Sequence, residues 1–290
     1  EWTLETAGVS GSAVAYPAEE PDSVVVSTGG RVVRVGGTGK LIFSAEFGPE
    51  GSRGGVMEAS VVDLDGDGVD EIVSGHNDGL IVALNGMDGR LLWSYDVGTE
   101  LAAWRIPVPV DLDKDGKVEV LASNMDGWIA CINHDGTLRW RSKMEEYRLS
   151  TPAVGDINND GRLEVVYGTS TRHLIALDDT GKLLWDRFHP PMHMGRTAPV
   201  IADLDEDGAA EVYTMSSMIA PDTGVLCVNG VDGAVKWVGE TWHKAYHGLT
   251  VGQFADGTPA LFACDKGDNV GAWDGDGKLR WRTQVSGRGI

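Results

Sequence analysis

The sequence predicts an all-β chain, a β-propeller of four-stranded blades. Three observations lead there. A turn followed by an aromatic recurs, as Gly39 to Phe43, Gly89 to Trp93, Gly136 to Trp140, Gly181 to Trp185, Gly233 to Trp237 and Gly277 to Trp281, with the aromatics 50, 47, 45, 52 and 44 residues apart. Each interval divides into short strand-like runs parted by turn residues, with no helical period. An acidic loop returns in register in four of the intervals. Four-stranded repeats of about 40–50 residues are how propeller blades are written in sequence.

The elements follow in order. Units begin near Gly11, Ala59, Ile106, Thr151, Ala198 and Leu249, giving blades at 9–47, 57–98, 104–144, 149–188, 196–240 and 247–286. In the second blade, strands a to d are expected at 59–63, 71–74, 80–85 and 90–95. Asp-Gly pairs such as Asp88-Gly89 and Asp135-Gly136 mark hairpin turns, because they accept positive φ. Ala83, Cys131, Ala176, Cys227 and Ala272 share one position of strand c, where close packing of sheets needs a small residue. The recurring Trp reads as a wedge between neighbouring sheets rather than a ligand platform. Residues 1–6 resemble a spare strand d. Six blades are expected; the alternative is seven, with part of the last one missing.

The acidic loop places oxygen side chains at its positions 1, 3 and 5, a glycine at 6 and a carboxylate at 9. The four copies are Asp63, Asp65, Asp67 and Glu71; Asp111, Asp113, Asp115 and Glu119; Asp156, Asn158, Asp160 and Glu164; and Asp203, Asp205, Asp207 and Glu211. Position 7 (Val69, Lys117, Arg162, Ala209) would add a backbone carbonyl. This donor set suits Ca²⁺, which takes six to eight oxygens, better than Mg²⁺, which gives up its water reluctantly. About four Ca²⁺ sites are expected, as staples of turns and not as catalysts. The first and last units, with Glu19-Glu20-Pro21-Asp22 and Phe254-Ala255-Asp256-Gly257, depart from the pattern, and no calcium is expected there.

Composition sets bounds. At 290 residues and 42% hydrophobic the chain can bury a sizeable core, and no 18-residue apolar run exists to span a membrane. The formal charge is −20, and 15 of the carboxylates occupy ligand positions of the four loops. The acidity is therefore mostly metal-site acidity, and it argues against nucleic acid as a partner. Cys131, Cys227 and Cys264 read as core residues, not a disulfide framework. A chain opening at Glu1 reads as processed or trimmed. With calcium expected, an extracellular or periplasmic location follows.

The chemistry is expected on the other face. The acidic loops join strands a and b, so the d-to-a and b-to-c connections lie opposite. His189, His193, His243 and His247 fall in d-to-a connections, and His76 and His173 in b-to-c connections; His134 alone falls in a c-to-d turn. Long loops on a rigid scaffold are where binding sites are built. Residues opening strand a should point to the axis, among them Glu58, Trp104, Arg105, Tyr147, Arg148, Arg196, Tyr246 and His247. Arginine pairs bidentately with carboxylates, and aromatic faces stack on sugars. An acidic glycan is thus the expected ligand, with Trp104, Trp242, His173 and Arg172 as binding residues.

The same set suits β-elimination from a uronate. His247, Tyr246, Tyr147 or His193 would remove the proton alpha to the carboxylate, and Arg105, Arg148 or Arg196 would stabilise the enolate. Two alternatives stand beside this: a non-catalytic glycan- or protein-binding module, and a Cu, Zn or Fe site built from the paired histidines with Met192 or Met194.

Three family resemblances are visible. The Asp-x-Asp-x-Asp-Gly-x-x-Glu loops resemble FG-GAP, or integrin α-type, calcium repeats. The Ala-Leu-Asp-Asp-Thr-Gly-Lys-Leu-Leu-Trp run ending at Trp185 resembles PQQ-type quinoprotein propeller repeats. Together these imply a propeller over nearly the whole chain. No PQQ is expected, because nothing resembles the vicinal-cysteine or cofactor-binding elements of quinoprotein dehydrogenases. The run Trp242-His243-Lys244-Ala245-Tyr246-His247-Gly248 is similar to the histidine-bearing loops of rhamnogalacturonan lyases, which implies a polysaccharide lyase.

Overall fold

A computed structural model describes residues 9–16, 23–28, 30–47, 56–76, 79–97, 106–124, 126–144, 149–190, 192–195, 197–216, 224–240, 248–265 and 267–285, without the side chains of 9–13 and 56–58. Among the described residues there is no helix, and the strands form six four-stranded antiparallel sheets, each in the order a-b-c-d. This is a six-bladed β-propeller. The blades span 9–46, 56–96, 108–143, 153–188, 200–240 and 249–284. They divide into two compact units, 1–144 and 145–290, with three blades in each. The spare strand expected at 1–6 lies outside the described residues.

The inner strands b and c are apolar and buried on both sides. Glu71–His76 and Glu164–Gly168 are buried at every position, whereas the outer strand Leu183–Phe188 buries only Trp185. That contrast follows from position in the sheet: inner strands are covered on their faces, and outer strands meet water. In the first unit Tyr16, Val25, Val32, Phe43, Ile72 and Leu84 form one core cluster. In the second, Ile157, Val166, Leu174, Trp185 and Leu226 form another.

The recurring turn explains the recurring aromatic. Gly39, Gly89, Gly136, Gly181, Gly233 and Gly277 all have positive φ. Each lies in the c-to-d hairpin, and the pairing shifts register next to it, as between Ala83 and Leu84 or Cys227 and Val228. Such glycine bulges add twist to the outer strand. Phe43, Trp93, Trp185 and Trp237 then lie over the next blade's turn. Trp93 Nε1 donates to His134 O at 2.7 Å, Trp185 to Gly230 O and Trp237 to Gly275 O, both at 2.8 Å. A Cβ on Gly136 would stand 2.7 Å from Trp93 Cβ. Trp93, Trp185 and Trp237 are wedges between blades, as expected.

The small-residue rule for strand c holds in five blades and fails in the first. Ala83, Cys131, Ala176, Cys227 and Ala272 pair with the tryptophans, but Arg34 pairs with Phe43. Arg34 is buried, stacks 3.7 Å from the Tyr16 ring and donates to Gly86 O at 2.8 Å. The three cysteines are free. No described helix is long and apolar enough to cross a membrane.

Candidate functional site: acidic loops and the opposite face

All four acidic loops share one hydrogen-bond scheme. The glycine at position 6 (Gly68, Gly116, Gly161, Gly208) has φ of 85, 88, 85 and 89°. Its N–H donates to the first aspartate's Oδ2 at 2.9, 3.0, 2.9 and 3.0 Å. The N–H groups of Val69, Lys117, Arg162 and Ala209 donate to the position-5 aspartates at 2.7, 2.8, 2.8 and 2.9 Å. Position 2 (Leu64, Leu112, Ile157, Leu204) is a buried anchor, and its N–H donates to the glutamate's Oε2. Glu71, Glu119, Glu164 and Glu211 are buried in turn. Each therefore uses one oxygen to close the loop and has the other left for the loop's centre.

Ligand oxygens gather closely. Those of Asp63, Asp65 and Glu71, of Asp111, Asp113 and Asp115, and of Asp203, Asp205 and Glu211 lie within 4.8 Å of one another. These clusters can hold a metal ion. In the remaining loop Asn158 stands among the carboxylates, its Nδ2 3.1 Å from Asp160 Oδ2 and 3.3 Å from Glu164 Oε1. Burial, and then Asp65, Asp67 and Asp63, push the Glu71 carboxyl up to about 7. Like charges held this close favour a bound cation.

Two loops already hold a cation of the chain's own. Lys236 Nζ lies 2.6 Å from Asp205 Oδ2, 2.8 Å from Glu211 Oε1 and 3.4 Å from Asp207 Oδ2. Arg139 reaches Asp113 Oδ2 at 2.5 Å and Glu119 Oε1 at 3.3 Å. Burial opposes the Lys236 charge, but hydrogen bonds to Asp205 and Glu211 outweigh it and hold its pKa above the ordinary lysine value. Arg162 turns instead to Asp179 in the c-to-d turn, with Nε 3.3 Å from Oδ2. Lys117 Nζ approaches His134 Nε2 at 3.4 Å. The a-to-b loops and c-to-d turns therefore share one end of the blades.

At the opposite end, in the fourth blade, the b-to-c turn meets the d-to-a connection. His189 N donates to Arg172 O at 2.8 Å, and Met194 N to Thr169 O at 3.0 Å. His173 Nδ1 is 2.6 Å from Asp186 Oδ1, and its ring lies 5.2 Å from that of Phe188, which is 55% exposed. His193 is half-buried, and its N–H donates to Ser216 Oγ at 3.2 Å. Arg172 is exposed with φ 80°, in the left-handed region. The residue before strand c is Gly30, Gly79 and Gly127 in the first three blades.

Arg172, His173 and His193 thus lie at the same end of the fourth blade. Tyr147, Arg148, Arg105, Arg196, Tyr246, His247, Trp104 and Trp242 lie outside the described residues, as do His243 and the side chain of Glu58. Met192 and Met194, offered as copper ligands, are buried in the core beside Val166 and Leu174. Burial also claims His76, edge-on to Phe47 at 6.0 Å. The histidine-bearing face is therefore partly core. What the sequence reading missed is the basic residue just before the tryptophan of the third, fifth and sixth blades, Arg139, Lys236 and Arg280.

The FG-GAP-like repeat profile matches residues 63–122 and 156–214, each stretch covering two consecutive acidic loops. The chain carries FG-GAP-like repeats on a β-propeller. A profile for the Lambda-carrageenase beta-propeller domain matches 108–184. No curated protein matches these FG-GAP-like blades in sequence. Among solved structures, BamB from Moraxella catarrhalis is 18% identical with a TM-score of 0.67, covering 96% of this chain and 77% of its own. The V. cholerae biofilm matrix protein Bap1 is 22% identical with a TM-score of 0.58, over 78% of this chain and 39% of its own. Quinohemoprotein alcohol dehydrogenase ADHIIG from Pseudomonas putida HK5 is 16% identical with a TM-score of 0.59, over 78% and 41%. At these identities the likeness is one of fold.

Proposed function

We propose that this chain is a calcium-stabilised propeller, working outside the cytoplasm, that binds an acidic polysaccharide on the face opposite its acidic loops. The observation that carries the ligand reading is Arg172. A non-glycine residue in the left-handed region is strained, and such strain tends to be kept where function needs the side chain. Its guanidinium has no hydrogen-bond partner among the described residues. Arg172 is the chain neighbour of His173, which pairs with Asp186 and lies 5.2 Å from the ring of the exposed Phe188. A cation next to a flat apolar face is what a charged sugar needs. The match of residues 108–184 to the Lambda-carrageenase beta-propeller domain profile supports a polysaccharide ligand. The biofilm matrix neighbour supports an extracellular setting.

Calcium is proposed as a structural ion held by the acidic loops. It would cross-link carboxylates that otherwise repel. Cleavage by β-elimination is the finer form of the proposal. His193, with Tyr147, Tyr246 or His247, would take the proton alpha to a uronate carboxylate while Arg105, Arg148 or Arg196 holds that carboxylate. The electron pair released expels the glycosidic oxygen and leaves an unsaturated uronate.

The test is affinity electrophoresis in gels carrying lambda-carrageenan, pectic, ulvan-like, glycosaminoglycan or neutral polymers, with calcium present. Retardation by acidic gels and not by neutral ones is expected. Equal mobility in all would refute glycan binding and favour a protein ligand. Ultraviolet absorbance of the unsaturated product, followed on the same polymers, decides between binding and elimination.

A further inference from the structure

The acidic loops are of two kinds, and the difference lies in strand d. The residue just before the blade's aromatic is Leu92 and Leu184 in the second and fourth blades, and Arg139 and Lys236 in the third and fifth. In the latter pair the cation lies among the loop's own carboxylates. Lys236 Nζ, at 2.6, 2.8 and 3.4 Å from oxygens of Asp205, Glu211 and Asp207, stands where an ion bound by those oxygens would stand. In the Leu92 blade no lysine or arginine among the described residues reaches Asp63, Asp65 or Glu71.

The last blade provides an internal comparison. Its a-to-b turn lacks the ligand pattern, and Arg280, at the same strand-d position, lies 3.6 Å from Asp256 and 3.7 Å from Asp274. A tethered cation at this position thus accompanies a turn with no metal-ligand set. The two FG-GAP-like stretches follow one order: each opens on a leucine-type loop and closes on a cation-type loop.

Chemistry separates the two kinds further. Protonated lysine and arginine only donate and have no lone pair for a metal. Asn158 also donates to Asp160 and Glu164, but rotating its amide by half a turn would present Oδ1 instead. The leucine-type loops can therefore take an ion without losing a partner. In the cation-type loops an ion must first expel a side chain bonded to two or three carboxylates. The close gathering of oxygens at 111–119 and 203–211 is gathering around that internal cation.

Resting on the calcium reading above, we infer that only the loops at 63–71 and 156–164 bind calcium, while Arg139 and Lys236 replace the ion in the loops at 111–119 and 203–211. The chain then holds two ions, not the four that its motifs suggest.

The experiment is calcium stoichiometry by flow dialysis on the whole chain, with folding followed by circular dichroism. The expected count is two per chain for the parent, three for Lys236→Leu, three for Arg139→Leu, and one for Leu92→Lys. Four ions in the parent would overturn the inference and leave the calcium reading intact. None in the parent would overturn both. If the leucine variants fail to fold, Leu92→Lys decides: a count that stays at two overturns the inference.

Discussion

Replacing Arg172 with glycine separates a binding role from a structural one. Arg172 has φ 80°. A left-handed conformation costs a non-glycine residue about 1–2 kcal/mol. Glycine removes that strain, but its freer unfolded chain takes back about 0.5–1 kcal/mol. The folded state should gain about 0.5–1 kcal/mol, and for a chain of this size Tm should rise by about 1–3 °C. No contact offsets the gain, because the guanidinium has no hydrogen-bond partner among the described residues. One charge-assisted hydrogen bond to an acidic glycan is worth about 1.5–3 kcal/mol, so affinity should fall by about tenfold to a hundredfold. Differential scanning fluorimetry and affinity electrophoresis read the two effects. A variant that melts lower, or binds acidic glycan as the parent does, would refute the reasoning.

Chelation of calcium should lower Tm by roughly 10 °C or more, since each ion at a hundredfold over its Kd adds about 2.7 kcal/mol to the folded state; unchanged melting in EDTA would exclude bound calcium. Trp185→Phe should cost about 1–3 kcal/mol in urea denaturation by stranding the buried Gly230 carbonyl, whereas Trp281→Phe, at a ring 41% exposed, should cost far less; equal costs would contradict the wedge. His189 is buried, and its Nε2 has no partner among the described residues. Burial, then Arg187 and His173, lower its pKa from 6.5. The unfolded chain therefore takes up a proton that the folded one refuses, and stability is lost as pH falls below about 6.5, by up to about 1.4 kcal/mol per pH unit. His189→Phe should flatten that part of the pH–stability curve; an unchanged slope would assign the loss to other groups.

Much of the architecture was legible in the chain because it is local. A blade's period, its glycine turns and its acidic loops are set by neighbours within a few residues. Strand ends were read to within a few residues, as in the second blade, observed at Val56–Val62, Glu71–His76, Leu80–Asn85 and Leu91–Asp96. The tryptophan wedges were legible for the same reason, since a glycine bulge twists the strand beside it.

The candidate site was less legible. Composition placed Met192, Met194 and His76 with the ligand-bearing loops, but packing draws them inward, because an apolar or edge-stacking side chain gains more by burial than by facing water. Arg34 occupies the position that five other blades give to Ala or Cys, a choice that its bonds to Ser23 and Gly86 explain and no local pattern announces.

By itself the sequence determined an all-β propeller with repeated acidic loops, because β-strand alternation, glycine turns and loop ligands are properties of short segments. Only the tertiary structure decided which of those loops carry their own cation. Lys236 is 25 residues from Glu211, and Arg139 is 26 from Asp113. Strand d must first cross the hairpin and return before its basic side chain can lie among the carboxylates of the a-to-b loop. Charge neutralisation acts through space, so the distance that matters here exists only once the blade has folded.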